Sequence, residues 1–158
     1  MQFVPIDFKV PERLETPHFT IRKLCARDVY LDYLAVMSSI DLIKKTYGGS
    51  SWPQPDLTIE DDLIDLAWHQ REFERHASFA YTVMKPDESE CLGCLYLIPP
   101  HYRSDTPADI DARVSFWVTP PAYERGLYTE LYQTLKHWLE TDWPFKNLHW
   151  TNVEIPNI

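Results

Sequence analysis

Two cysteines three residues apart, Cys91-Leu-Gly-Cys94, are the first pair whose types and spacing could do chemistry. Such a pair exchanges disulfides when it opens a helix, where the dipole favours the thiolate. It holds a structural zinc when a second ligand pair stands at matching spacing. Here it lies in Glu90-Cys-Leu-Gly-Cys-Leu-Tyr-Leu-Ile98, which reads as a strand. Strand residues three apart point to opposite faces. The thiols are therefore expected to diverge as structural residues, no second ligand pair has zinc spacing, and no metal site is expected. Cys25 brings the count to three, an odd number that does not fit a secreted disulfide framework.

The other reactive types are more scattered. His18, His69, His76, His101, His137 and His149 include no His-x-x-x-His on one helix and read as surface or capping residues. Ser50-Ser51 follows Gly48-Gly49 but has neither a nucleophile-elbow sequence nor the Lys-Ser/Thr of a phosphate loop. Trp52, Trp68, Tyr81 and Tyr96 read as core packing and rim, with a substrate groove as the alternative. Glu60-Asp61-Asp62 and Asp65 read as a solvated helix start stabilised by the dipole. They also add to a field that attracts a basic amine.

That field is acidic throughout. Fifteen Lys+Arg against 24 Asp+Glu give a net charge of −9 and a sequence pI near 5.0. A general nucleic-acid binder needs a basic face and is excluded. A hydrophobic fraction of 44% and an aromatic fraction of 14% exclude a disordered chain. Four glycines and 13 prolines leave little material for a glycine-rich loop. Met1 to Val10 lacks the basic start and apolar run of a signal peptide, and no stretch approaches the ~20 apolar residues of a membrane helix. The expectation is a cytoplasmic protein with no membrane partner, and one domain over residues 1–158.

The elements that must position these residues follow from periodicity. Phe19–Cys25 alternates as a strand, and Asp28 caps a helix through Leu31, Leu34 and Met37. Residues 47–58 are dense in turn formers. Thr58-Ile-Glu-Asp61 opens a second helix as a capping box ending near His76. Phe79–Met84 and Leu92–Ile98 form a hairpin across Pro86–Ser89. Ala112–Val118 is a fourth strand, which Thr119-Pro-Pro-Ala122 breaks. Leu127, Leu131, Leu135 and Trp138 stripe a third helix, and Lys146–Ile155 is a fifth strand. The fold class is α/β (α+β), with order β-α-α-β-β-β-α-β. The sheet is mixed and mostly antiparallel, with a parallel pair formed by the fourth and fifth predicted strands.

This order resembles the GNAT superfamily of acetyl-CoA-dependent N-acyltransferases, and most closely its ribosomal-protein N-terminal acetyltransferase branch. Leu14-Glu-Thr16 with Phe19-Thr-Ile-Arg22, Leu92-Gly93, Phe116-Trp-Val-Thr-Pro120 and Gly126-Leu-Tyr-Thr-Glu130 carry the likeness, over roughly residues 11–157. The resemblance implies acetyl transfer from acetyl-CoA to an unidentified small-molecule or peptide amine. Its pyrophosphate sits on a helix N-terminus. The family's Gln/Arg-x-x-Gly-x-Gly/Ala falls on Tyr123 to Tyr128, where Gly126 fits and Tyr128 replaces a small residue. By the same likeness Arg125, Gly126, Leu127, Tyr128 and Thr129 would hold the phosphates. The backbone of Trp117 and Val118 would pair with the pantetheine, Asn157 would match the family's Asn, and Asp111 would be the base. The family's usual last helix and two strands have no counterpart in the sequence. The alternative reading is therefore a catalytically inactive GNAT-like binding or assembly module. An apolar edge on the fifth strand predicts a homodimer through that strand or the Trp143/Trp150 surface.

Overall fold

The computed structural model describes residues 2–157. One six-stranded sheet runs in chain order: β1 (Arg13–Glu15), β2 (Thr20–Lys23), β3 (Phe79–Met84), β4 (Cys91–Ile98), β5 (Ala112–Val118) and β6 (Leu148–Trp150). Pairing is antiparallel from β1 to β5 and parallel between β5 and β6. Helices α1 (Val29–Met37), α2 (Ile40–Thr46) and α3 (Ile59–Glu74) connect β2 to β3, and α4 (Pro120–Glu124) and α5 (Leu127–Asp142) connect β5 to β6.

The mixed α/β architecture and its closing parallel pair are those predicted. Strands four and five of the prediction become β5 and β6 because Arg13–Glu15 forms an additional strand against β2. α2 was not predicted. The Thr119-Pro-Pro segment, read only as a strand breaker, opens α4 with proline in the first helical turn, where its missing N–H costs nothing. The predicted capping box forms: Asp61 N donates to Thr58 Oγ1 at 3.1 Å, and Thr58 N donates to Asp61 Oδ2 at 3.2 Å.

Alternation along the strands divides the core. Ile21, Tyr81, Val83, Leu95, Leu97, Val114 and Phe116 pack with α5 and Trp143. Met84, Cys91, Cys94 and Trp117 pack with Ala35 and Val36 of α1 and Ile43 of α2. Trp143, expected on a dimer surface, is 5% exposed and packs against Phe79, Trp138 and Phe145.

The cysteine expectation fails at one residue. Val83 pairs with Gly93 but Met84 pairs with Cys91, so Leu92 is the extra residue of a β-bulge. The bulge resets the alternation. Cys91 joins Cys94 on the helix α1 face while Leu92 turns to the α5 face.

Candidate active site

Where β5 and β6 part, the backbone of β5 is left without a strand partner. Register ends at Val114 opposite Trp150. Thr151 N still donates to Val114 O at 2.9 Å, and then a side chain takes over. Phe116 N donates to Asn152 Oδ1 at 3.1 Å, and Asn152 Nδ2 donates to Phe116 O at 2.9 Å. This is why β6 stops at Trp150 instead of running the predicted ten residues. Trp117 is registered with Cys94 and Thr119 N donates to Leu92 O, so both turn their backbone groups to β4. By the two-residue alternation of a ladder, Val118 turns its N–H and C=O the same way as Phe116, into the gap. Of the two predicted pantetheine partners, Val118 therefore faces the gap and Trp117 faces its neighbouring strand.

The first turn of α5 closes one end of that gap. Gly126 caps it at φ 85°, a left-handed conformation that glycine adopts without a steric cost. Leu127, Tyr128 and Thr129 occupy the turn, whose N–H groups have no partner within the helix. Arg125 and Thr129 are exposed; Leu127 and Tyr128 are buried. The Tyr128 ring packs on Phe116 with centroids 4.8 Å apart. Its hydroxyl donates to Glu154 O at 2.7 Å and accepts from Asn152 Nδ2 at 2.8 Å. Tyr128, Asn152 and Glu154 thus clasp the segment after β6 to the start of α5. Tyr123 Oη donates to Glu154 Oε2 at 3.2 Å, adding to the clasp. Asn157 is exposed beyond it.

On the other face of the sheet lies a cavity of about 830 Å³, lined by Ser115, Thr151, Tyr96, Tyr47, His69 and Asp65 among others. α3 supplies the last two, one turn apart on one face, with His69 Nε2 3.6 Å from Asp65 Oδ2. The His69 ring leans on Tyr96 with centroids 5.4 Å apart. Burial lowers the His69 pKa from its ordinary value, against the opposing pull of Asp65 and Glu72. The imidazole is therefore neutral near pH 7 and can accept a proton. Burial likewise raises the Tyr47 and Tyr96 hydroxyls, so they serve as hydrogen-bond donors; Tyr47 Oη lies 3.3 Å from Ser115 Oγ.

Asp111, the expected base, is elsewhere. Its Oδ2 accepts from Lys146 N at 2.7 Å and Asn147 N at 2.9 Å, so it caps the turn into β6 and does not line the cavity. The sequence contains no His-x-x-x-His that would single out His69. The signal present was Asp65-x-x-x-His69, a carboxylate one helical turn before an imidazole. Of the four aromatics considered for a groove, Trp52 and Tyr96 line the cavity. Tyr81 is fully buried, and Trp68 is 45% exposed outside it.

No protein-family model matches the sequence, and no curated protein matches it either. Solved structures do match its shape. The ribosomal-protein-S5-alanine acetyltransferase from Vibrio fischeri superposes with a TM-score of 0.61 at 13% identity, over 81% of this chain and 67% of that one. RimL, a ribosomal L7/L12 α-N-protein acetyltransferase in complex with coenzyme A, gives 0.62 at 14%, over 82% and 68%. A GNAT-family acetyltransferase from Bordetella pertussis gives 0.57 at 15%, over 83% and 73%. The fold is that of the GNAT acetyltransferases. Among the described residues, no helix is long and apolar enough to cross a membrane.

Proposed function

We propose that this chain is an N-acetyltransferase that moves an acetyl group from acetyl-CoA to an amine. The observation that carries the reading is the parting of β5 and β6 beside a polar cavity. Val118 and the first turn of α5 stand at the gap, and Ser115 and Thr151, the chain neighbours of the bridged Phe116 and Asn152, line the cavity that holds His69. The pyrophosphate would lie on the N–H groups of Leu127, Tyr128 and Thr129, with Arg125 alongside. The pantetheine would pair with Val118. The amine would enter through the cavity, lose its ammonium proton to His69, and attack the thioester carbonyl as the CoA thiolate leaves. Orientation of the two reactants against each other supplies much of the rate. A net charge of −9 favours a basic small molecule or peptide amine as acceptor.

The clasp favours a second reading. Tyr128 stands where the family motif has a small residue, and its hydroxyl ties Asn152 and Glu154 across the gap. If the clasp does not open, the domain binds partners without catalysis. An assay of CoA thiol release in the presence of amine acceptors separates the two. Acetyl-dependent thiol release that requires the acceptor supports the enzyme. No release with any basic amine or N-terminal peptide, from a folded protein, supports the inert module.

A further inference from the structure

The bulge in β4 gathers a second polar cluster under the helices, and none of its residues lines the cavity. Asp32 of α1 and Cys91 and Cys94 of β4 bring a carboxylate oxygen and two Sγ atoms within 4.8 Å of one another. All three are at least 96% buried. Cys94 Sγ lies 3.4 Å from Asp32 Oδ1, and Thr82 Oγ1 of β3 stands 3.6 Å from Cys91 Sγ. Asp62 of α3, expected on a solvated helix start, is 1% exposed instead. Its carboxyl faces that of Asp32, and neither oxygen meets an N–H or hydroxyl donor among the described residues. No ion pair reaches Asp32 or Asp62 among those residues. Two acids and two thiols are thus buried together with no positive partner, which the interior tolerates poorly.

We propose that Cys91 Sγ, Cys94 Sγ and the Asp32 carboxylate form a binding site for a thiophilic divalent cation of the zinc class. Thiolates select soft or borderline cations over magnesium and calcium. Zn–S bonds of about 2.3 Å set tetrahedral ligand atoms about 3.8 Å apart, so the cluster closes on the ion with small movements. The three ligands bind as two thiolates and a carboxylate, so the protons they carry beforehand leave to solvent on binding. Two thiolates and one carboxylate then bring three negative charges against two positive ones. Asp62, facing Asp32 from α3, stands behind that ligand as its outer neighbour. The ion would tie α1, and through Asp62 α3, to β4.

Cobalt(II) reports on this site directly. The full-length chain, reduced and stripped of metal, is expected to take up one equivalent of cobalt with a thiolate-to-cobalt charge-transfer absorption, and zinc should displace it. Cys25→Ser should leave the absorption unchanged. Asp62→Ala should weaken cobalt binding about 10–100-fold, as loss of an outer partner does. The double variant Cys91→Ser/Cys94→Ser should show no absorption. Since that variant removes two core side chains, the unaltered protein supplies an independent readout: zinc should raise its Tm, and a chelator should reverse the rise. Absence of the absorption at stoichiometric cobalt, its persistence in the double variant, or a melt indifferent to both zinc and chelator would overturn the proposal.

Discussion

His69 fixes the direction of the pH dependence. Burial lowers its pKa from the ordinary 6.5, so the base form persists to lower pH than a free imidazole would allow. Acetyl transfer should hold its rate through pH 6.5 and fall only below it, with a single proton on the acid limb of the pH–rate profile. A limb centred above 6.5 would remove His69 as the base. Folding stability shares the sign: the unfolded chain binds this proton more readily, so stability is full above 6.5 and declines as pH falls below it. His69→Ala should lower kcat by roughly 10²–10⁴-fold and leave the affinity for acetyl-CoA near its original value. Asn152 is the other residue with a measurable role. Asn152→Ala leaves the buried N–H and C=O of Phe116 without partners, which should cost about 1–3 kcal/mol in urea unfolding. Neither residue was legible as such in the sequence. His69 needed α3 to be docked beside β4 before its burial could be known. Asn152 sat inside a run whose alternation read as continuing strand.

At the scale of elements, local chemistry was readable where the chain supplies its own partners. The Thr58/Asp61 box and the β3–β4 hairpin depend on residues close in sequence, and both form as expected. The bulge at Leu92 does not depend on its neighbours in sequence. Gly93 sits so close to β5 that a Cβ there would lie 2.0 Å from Trp117 O. That approach exists only after β4 and β5 pair. Gly93→Ala must therefore push the two central strands apart, and we expect a loss of about 1–3 kcal/mol or more, read as a lowered urea midpoint with an unchanged m-value. A neutral effect would show that the strands separate more easily than their register implies. The two short helices α2 and α4 escaped the sequence for a related reason. At seven and five residues they are too short to show a period, and they persist through packing and the proline start.

The molecule is a mixed sheet carrying a net charge of −9, with the cavity that holds His69 on the face opposite α5. Its order and strand directions were legible because they follow from the alternation of five predicted strands and the length of the last crossover. The gap beside α5 was legible only as a position, at Gly126 and the strand before it. Its state, a gap bridged by Asn152 and clasped by Tyr128, depends on side chains from three separate segments meeting in space. The central claim is that acetyl-CoA occupies this gap. Calorimetric titration of the intact chain with acetyl-CoA tests it most directly. Saturable heat with a micromolar Kd and one site is expected. That heat should be lost in Gly126→Glu, whose added carboxylate would stand where the proposed pyrophosphate binds, with circular dichroism confirming that the variant remains folded. A flat trace at millimolar acetyl-CoA, or an affinity unchanged by Gly126→Glu, would contradict it.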